Sequence, residues 1–168
     1  LVTADGGIDF SANYSDQEST AFPLIVAETC YALGLQRAGG TFLLKVFDTL
    51  LSTTEGLLYS LSKLYTQVAI YKPNTSRAGN SERYIVCTGF APRDRAHLLD
   101  NITHTLAMVC SGVLITGIGS VPPPLFTATL SEINCVVGQR QLENISDTFD
   151  LICNHKKPQE ERLTEYNI

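Results

Sequence analysis

The stretch TFLLKVFD, residues 41–48, decides the fold. Its large apolar side chains follow one another instead of alternating with polar ones. The strand it predicts is therefore covered on both faces, as in a parallel sheet between layers of helix. On its N-terminal side, Gly39-Gly40 closes a segment in which Phe22, Ile25, Val26, Cys30 and Leu33 share one helical face. That spacing predicts a helix over 21–37, capped by Ser19 or Thr20, with Pro23 tolerated in its first turn. Further out, Leu1 to Ala4 reads as a short strand, followed by the turn signal Asp5-Gly6-Gly7. On the C-terminal side, Thr53 or Thr54 opens a second helix with Leu57, Leu58, Leu61, Leu64 and Tyr65 inward. QVAIYK (67–72) and RYIVCTGF (83–90) then read as strands joined by a basic, hydroxyl-rich loop.

The order strand, helix, strand, helix, strand, loop, strand predicts an α/β chain. It amounts to about half of a doubly wound sheet, with the last two strands an antiparallel pair at its edge. From Ala91 the texture changes. Asp94 caps a helix reaching about Cys110, GVLIT (112–116) is strand-like, PPP (122–124) breaks the chain, and 127–148 reads as helix. The polar end HKKPQEERLTEYNI suggests a final short helix. Residues 1–90 and a mainly helical extension of the same domain, 91–168, are the expected divisions. LVTADGG resembles the middle of a fold, which predicts that more polypeptide completes the sheet.

Of 168 residues, 44% are hydrophobic and 17% charged, which excludes a disordered chain. No apolar run reaches the roughly 18 residues of a membrane span, so no membrane partner is expected. The net charge of −5 argues against a surface coated for nonspecific nucleic-acid binding, while leaving room for a local basic patch. Five cysteines form no C-x-x-C pair, and four lie in apolar stretches, which predicts buried free thiols in a reducing, intracellular compartment. His97 and His104, seven apart on one predicted helix, lack the neighbouring ligands of a metal site.

Lys45 sits inside the deciding strand, and a buried, unanswered lysine is costly. The C-terminal ends of strands are where open α/β sheets hold ligands. Asp5 follows the first strand on that same rim. Glu82 precedes the last strand, which runs the opposite way, so its start lies on that rim too. Strand direction alone brings Asp5, Lys45 and Glu82 together from distant parts of the chain. Taken singly, Asp5 is also a good turn residue, and Glu82 a surface partner for Arg77 or Arg83.

LVTADGG, GGTFLLKVFD and YKPNTSRAGNSERYIVC together resemble the FtsJ-like RNA 2′-O-methyltransferases, and within them the cap-specific mRNA ribose methyltransferases. The resemblance is strong over 1–90 and weak in VPPPLFTATLSEINCVVGQRQLENI (121–145). It implies the C-terminal half of a Rossmann-like methyltransferase sheet, followed by a mostly helical extension. It further implies a Lys-Asp-Lys-Glu catalytic set, with Asp5, Lys45 and Glu82 as its second, third and fourth members. S-adenosylmethionine is the implied cofactor, with Asp5 and Gly6 on its side of the site. Capped mRNA or another RNA is the implied substrate, held by Ser76, Arg77, Asn80 and Ser81, with Tyr14 a candidate for stacking on the cap.

The family's first lysine and its glycine-rich cofactor loop lie upstream of the matching region. The implied partner is therefore the missing N-terminal part or a second polypeptide, and the implied location is cytoplasm, nucleus or a viral factory. VLITGIGSV (113–121) imitates a glycine-rich turn, but prolines follow it instead of a helix. A lysine accepts the hydroxyl proton only as the neutral amine. Burial and a cationic sulfur favour that form and two carboxylates oppose it, so the acids are expected to aim the amine. A non-catalytic RNA-binding scaffold and an rRNA-directed methyltransferase are the alternative readings. Lys72 and Arg83 are read as equally well solvated or functional.

Overall fold

The computed structural model describes residues 1–10, 14–113 and 121–154. Strand β1 (Val2–Ala4) leads through a 3-10 turn (Tyr14–Asp16) to helix α1 (Gln17–Leu35), then β2 (Phe42–Val46), α2 (Ser52–Leu64), β3 (Tyr65–Tyr71) and β4 (Arg83–Phe90). Helices α3 (Arg95–Cys110) and α4 (Pro124–Cys153) follow. The four strands form one sheet in the order β1-β2-β4-β3. β1 and β2 are parallel, whereas β4 runs antiparallel to both of its neighbours. The chain is thus α/β with a mixed sheet, consistent with a Rossmann-like methyltransferase fold carrying a helical extension.

The expected antiparallel pair is present at one edge of the sheet. β4 lies between β2 and β3, and β3 forms the edge. The composition agrees, because RYIVCTGF alternates fully buried with half-buried positions while β3 is mostly exposed. An inner strand is shielded by neighbours on both sides and an edge strand on one.

One face of the sheet carries the core. Phe42, Leu44 and Val46 on β2, with Ile85 and Cys87 on β4, pack against Phe22, Ile25, Val26 and Leu33 of α1 and Leu57, Leu58 and Leu61 of α2. The opposite face holds Leu43, Lys45, Tyr84 and Val86 only half-buried, so the deciding strand is covered on one side by the described residues. Burial raises the Cys30 and Cys87 thiols to about 11 and about 12, which leaves them unreactive at neutral pH. Cys110, Cys135 and Cys153 are exposed, correcting the expectation of four buried thiols. They lie on α3 and α4, each of which buries only one residue, Ile102 and Leu130.

Helix boundaries moved for physical reasons. α1 starts at Gln17 after Asp16, and the Ser19 hydroxyl donates to the Asp16 carbonyl instead of capping a later start. At the start of α2, the Glu18 carboxylate accepts from the Leu50 and Leu51 N–H groups at 3.1 and 2.9 Å, doing the capping expected of Thr53 or Thr54. Tyr65 belongs to β3, not α2. Asp94 does cap α3, accepting from the His97 N–H at 3.0 Å. Arg95 donates to the carbonyls of Gln36 and Gly34, answering the free acceptors at the end of α1. Gly39 takes φ +70° in the turn into β2, and the turn is zipped to β4 through Gly39 N–H to Phe90 O and Phe90 N–H to Gly40 O. α4 extends past both ends of the expected 127–148. The glycine-rich mimic and the polar C-terminal helix lie outside the described residues, apart from the ends of the former.

Candidate active site

β1 ends at Ala4, paired with Leu44, so Asp5 and Lys45 leave adjacent parallel strands on the same rim. The Lys45 side chain is 13% exposed, and its ammonium lies 2.8 Å from the Asp5 carboxylate and 3.2 Å from the Asp5 carbonyl. Lys45 faces Tyr84 directly across the β2–β4 ladder. Glu82 lies two residues before Tyr84, on the diagonal of the same face. All three expected residues therefore share one rim.

They do not form one contact set. No ion pair joins Lys45 to Glu82 among the described residues. Glu82 instead accepts from the Ser76 hydroxyl at 3.1 Å and the Tyr84 hydroxyl at 3.4 Å. Tyr84, raised by burial and by the Glu82 and Asp5 charges, stands between them as a neutral donor.

A further carboxylate, Glu28 of α1, accepts the Gly6 N–H at 2.7 Å. A Cβ at Gly6 would overlap the ends of the Glu28 and Leu24 side chains, so a larger residue there would push Glu28 away from the amide. Gly7 passes beside the amine, where even a Cβ would lie 4.0 Å from Lys45 Nζ, at ordinary contact distance. The turn after Asp5 is thereby fixed from behind by α1 and left open in front. Sequence reading missed Glu28. Its signal was available, because Glu28 is the single charged residue in 19–36.

Burial raises the Glu28 carboxyl above the usual carboxylate range, against the opposing pull of the Gly6 amide and Lys45. A carboxyl raised in the folded state stabilises fully below its unfolded pKa and loses that contribution as pH rises through the folded value. Glu28→Gln keeps an acceptor and removes the charge. Its urea unfolding midpoint at pH 7 should equal or exceed wild type, and the difference should vanish as pH falls into the carboxylate range. A lower midpoint at pH 7 would show that the ionised group is required for folding.

The loop 72–82 is built on Lys72, whose ammonium donates to the Asn80 carbonyl, the Asn80 side chain and the Glu82 carbonyl at 2.6 to 2.7 Å. Burial lowers its pKa. Lys72 is thus a structural tie, not a solvated cation. Arg83 is buried, donating to Asn134 at 2.8 Å, to Ser81 O and Asp48 at 3.3 Å, and to Thr49 at 3.4 Å. Of the expected RNA contacts, Ser81 is buried and its hydroxyl donates to Gln17 at 3.2 Å. Ser76 is spent on Glu82. Asn80 uses its side-chain carbonyl oxygen internally, and the exposed Arg77 side chain has no hydrogen-bond or ion-pair partner among the described residues. The Tyr14 side chain lies outside the described residues.

The profile of the FtsJ-like methyltransferases matches residues 1–90, more than half of the chain. The chain belongs to this family. Among curated relatives, a cap-specific mRNA (nucleoside-2'-O-)-methyltransferase 2 from Pongo abelii is 34% identical over 164 residues, 97% of this chain and 21% of that protein. The Drosophila melanogaster enzyme of the same name is 40% identical over 109 residues, 64% of this chain and 16% of its own length. A cap-specific mRNA (nucleoside-2'-O-)-methyltransferase 1 from Trypanosoma cruzi is 44% identical over 91 residues, 54% of this chain and 25% of its own. The chain therefore spans from 16% to 25% of the length of these relatives. In this FtsJ-like sheet, the matched residues 1–90 contain the whole Asp5–Lys45–Glu82 rim. No described helix is long and apolar enough to cross a membrane.

Proposed function

We propose that this chain carries the catalytic and RNA-facing part of an enzyme that methylates ribose 2′-hydroxyls in the first transcribed nucleotides of capped mRNA. The observation that carries the reading is the 2.8 Å Lys45–Asp5 pair at the ends of parallel strands, in a chain of the FtsJ-like family. An alcohol is a poor nucleophile until its proton leaves, and Lys45 is the group on the rim to receive it. Asp5 aims the amine through both its carboxylate and its carbonyl. Glu82 acts at one remove, through Tyr84 opposite Lys45.

The residues fit S-adenosylmethionine as cofactor. The Asp5 carboxylate, 69% exposed, offers a counter-charge to a sulfonium, and the Gly6-Gly7 turn leaves backbone uncovered beside the amine. The cofactor supplies an electrophilic methyl group when bound. Completion of its site by polypeptide beyond this chain, in cis or from a partner, is part of the proposal. So are an intracellular location and the division into a catalytic segment, 1–90, and an extension of the same domain, 91–168. Packing of α3 against α1 and of Leu130 into the core supports that division.

Arg77 is the proposed phosphate contact, with the Asn80 amide beside it, while Ser76 and Ser81 hold the loop in shape. Full-length protein incubated with capped RNA and methyl-labelled cofactor should place label on the ribose of the first transcribed nucleotides. Label on the cap guanine, or none on RNA, would overturn the reading. Arg77→Ala should lower RNA affinity and reduce the slope of log K against log salt by about 0.7, the share of one single-strand phosphate. An unchanged slope would remove Arg77 from the interface.

A further inference from the structure

A cleft of about 240 Å³ lies between the loop 72–80 and α4, lined by Lys72, Asn74, Asn80, Arg140, Gln141 and Asn144 among others. Among the described residues its hydrogen-bonding groups are half spent. The Gln141 Nε2 donates to the Gly79 carbonyl at 3.2 Å, which ties α4 to the loop and leaves Oε1 unused. The Asn144 Nδ2 donates to the Arg140 carbonyl at 2.8 Å and leaves Oδ1 unused. The Asn80 Oδ1 accepts from Lys72 and Ser76 and leaves Nδ2 unused. The Arg140 guanidinium has no acidic or hydrogen-bonded partner among the described residues. Lys72, in contrast, has three internal acceptors and no donor to spare.

The free set thus includes a guanidinium, the unused N–H groups of the Asn80, Gln141 and Asn144 amides, and the amide oxygens of Gln141 and Asn144, around a small polar hollow. Side-chain amides and arginine are the groups that read unpaired bases and clamp phosphates in single-stranded RNA. The volume is below the roughly 300 Å³ at which drug-sized ligand sites begin, which admits part of one nucleotide with the rest in solvent, and not a dinucleotide cofactor. The cleft is carried by the same loop that leads, two residues after Asn80, to Glu82 and the catalytic rim.

We propose that this cleft binds a single nucleotide of the RNA substrate, its phosphate on Arg140 and its base edge on the free amide groups of Asn80, Gln141 and Asn144. The proposal rests on the RNA reading above and adds a second contact surface from α4, which belongs to the extension and not to the sheet. It gives α4 a role in substrate binding with no part in the chemistry.

The test uses full-length protein with capped RNA. Arg140→Ala should raise KM for RNA about fivefold to tenfold, leave kcat and KM for the cofactor within twofold, and lower the salt slope by about 0.7. Arg140→Lys should restore the slope. Combined with Arg77→Ala, the loss of slope should reach about 1.4, since the two phosphates are separate. Gln141→Ala should change the ranking of RNAs that differ at one nucleotide while leaving the slope intact. Wild-type protein that binds and methylates RNA, with Arg140→Ala and Gln141→Ala indistinguishable from it, would overturn the cleft assignment alone. Wild-type protein without RNA binding would overturn the functional reading itself.

Discussion

Lys45→Ala in the full-length protein is expected to abolish methyl transfer, a loss of at least about 10²–10⁴-fold, the usual share of a positioned proton acceptor. RNA affinity should change less than about threefold, because one exposed-rim cation is a small part of a phosphate-dominated interface. The expectation follows from position. Lys45 is 13% exposed at the end of β2, held by both oxygen types of Asp5 at 2.8 and 3.2 Å, and reaches the rim beside the open Gly6-Gly7 turn. A second variant separates charge from proton transfer. Lys45→Arg keeps a cation but cannot give it up at any accessible pH, so it should be as inactive as alanine. Single-turnover rates for the three proteins, with RNA binding measured alongside, make the comparison. Turnover by Lys45→Arg within tenfold of wild type would show that the amine works as a fixed charge, and turnover by Lys45→Ala would exclude it as the base.

The second large effect lies beneath the rim. Arg83→Met is expected to destabilise the fold by about 1–3 kcal/mol, the cost of leaving its buried hydrogen-bonding partners unsatisfied, since the Asp48 carboxylate is 33% exposed and can be rehydrated. Arg83 is 3% exposed and joins three segments: Asp48 and Thr49 after β2, Ser81 before β4, and Asn134 of α4. Asn134 in turn accepts from the Thr49 hydroxyl at 2.7 Å and donates to the Thr49 carbonyl at 2.8 Å. Burial lowers the Arg83 pKa and raises that of Asp48, so for both partners desolvation outweighs mutual attraction. Such a pair adds little net stability when intact and costs more when halved. The double variant Asp48→Asn/Arg83→Met should therefore lose less than the sum of the single changes, as read from urea unfolding at pH 7. Strict additivity would show that the two groups are not coupled.

Much of the sheet was legible because its strands carry their environment in their composition. RYIVCTGF matched β4 to the residue, and TFLLKVFD contains β2, which is shorter at both ends. The rim followed from chain direction, since a parallel pair and one reversed strand put Asp5, Lys45 and the start of β4 at one end. Pairwise contacts were not legible. Whether Lys45 meets Asp5 or Glu82 depends on a few ångströms of side-chain reach across a ladder, and spacing in sequence carries no such information. Arg83 shows the same limit from the other side. Beside Glu82 and a basic loop it reads equally as solvated or functional, yet the alternation of β4 turns it to the core face, where α4, about fifty residues further on, supplies Asn134.

Local sequence determined the elements: where apolar periodicity begins, where Gly39 permits a left-handed turn, where Asp94 caps a helix. It also determined that three ionisable residues share a rim, because strand direction follows from the order of elements. Only the tertiary structure decided that β4 lies inside the sheet, that Glu28 and Glu18 answer backbone amides on other segments, and that Arg140 faces the loop with no acid among the described residues to neutralise it. Those outcomes depend on which surfaces exclude water together. Exclusion is a property of the packed chain, and no short stretch of residues possesses it.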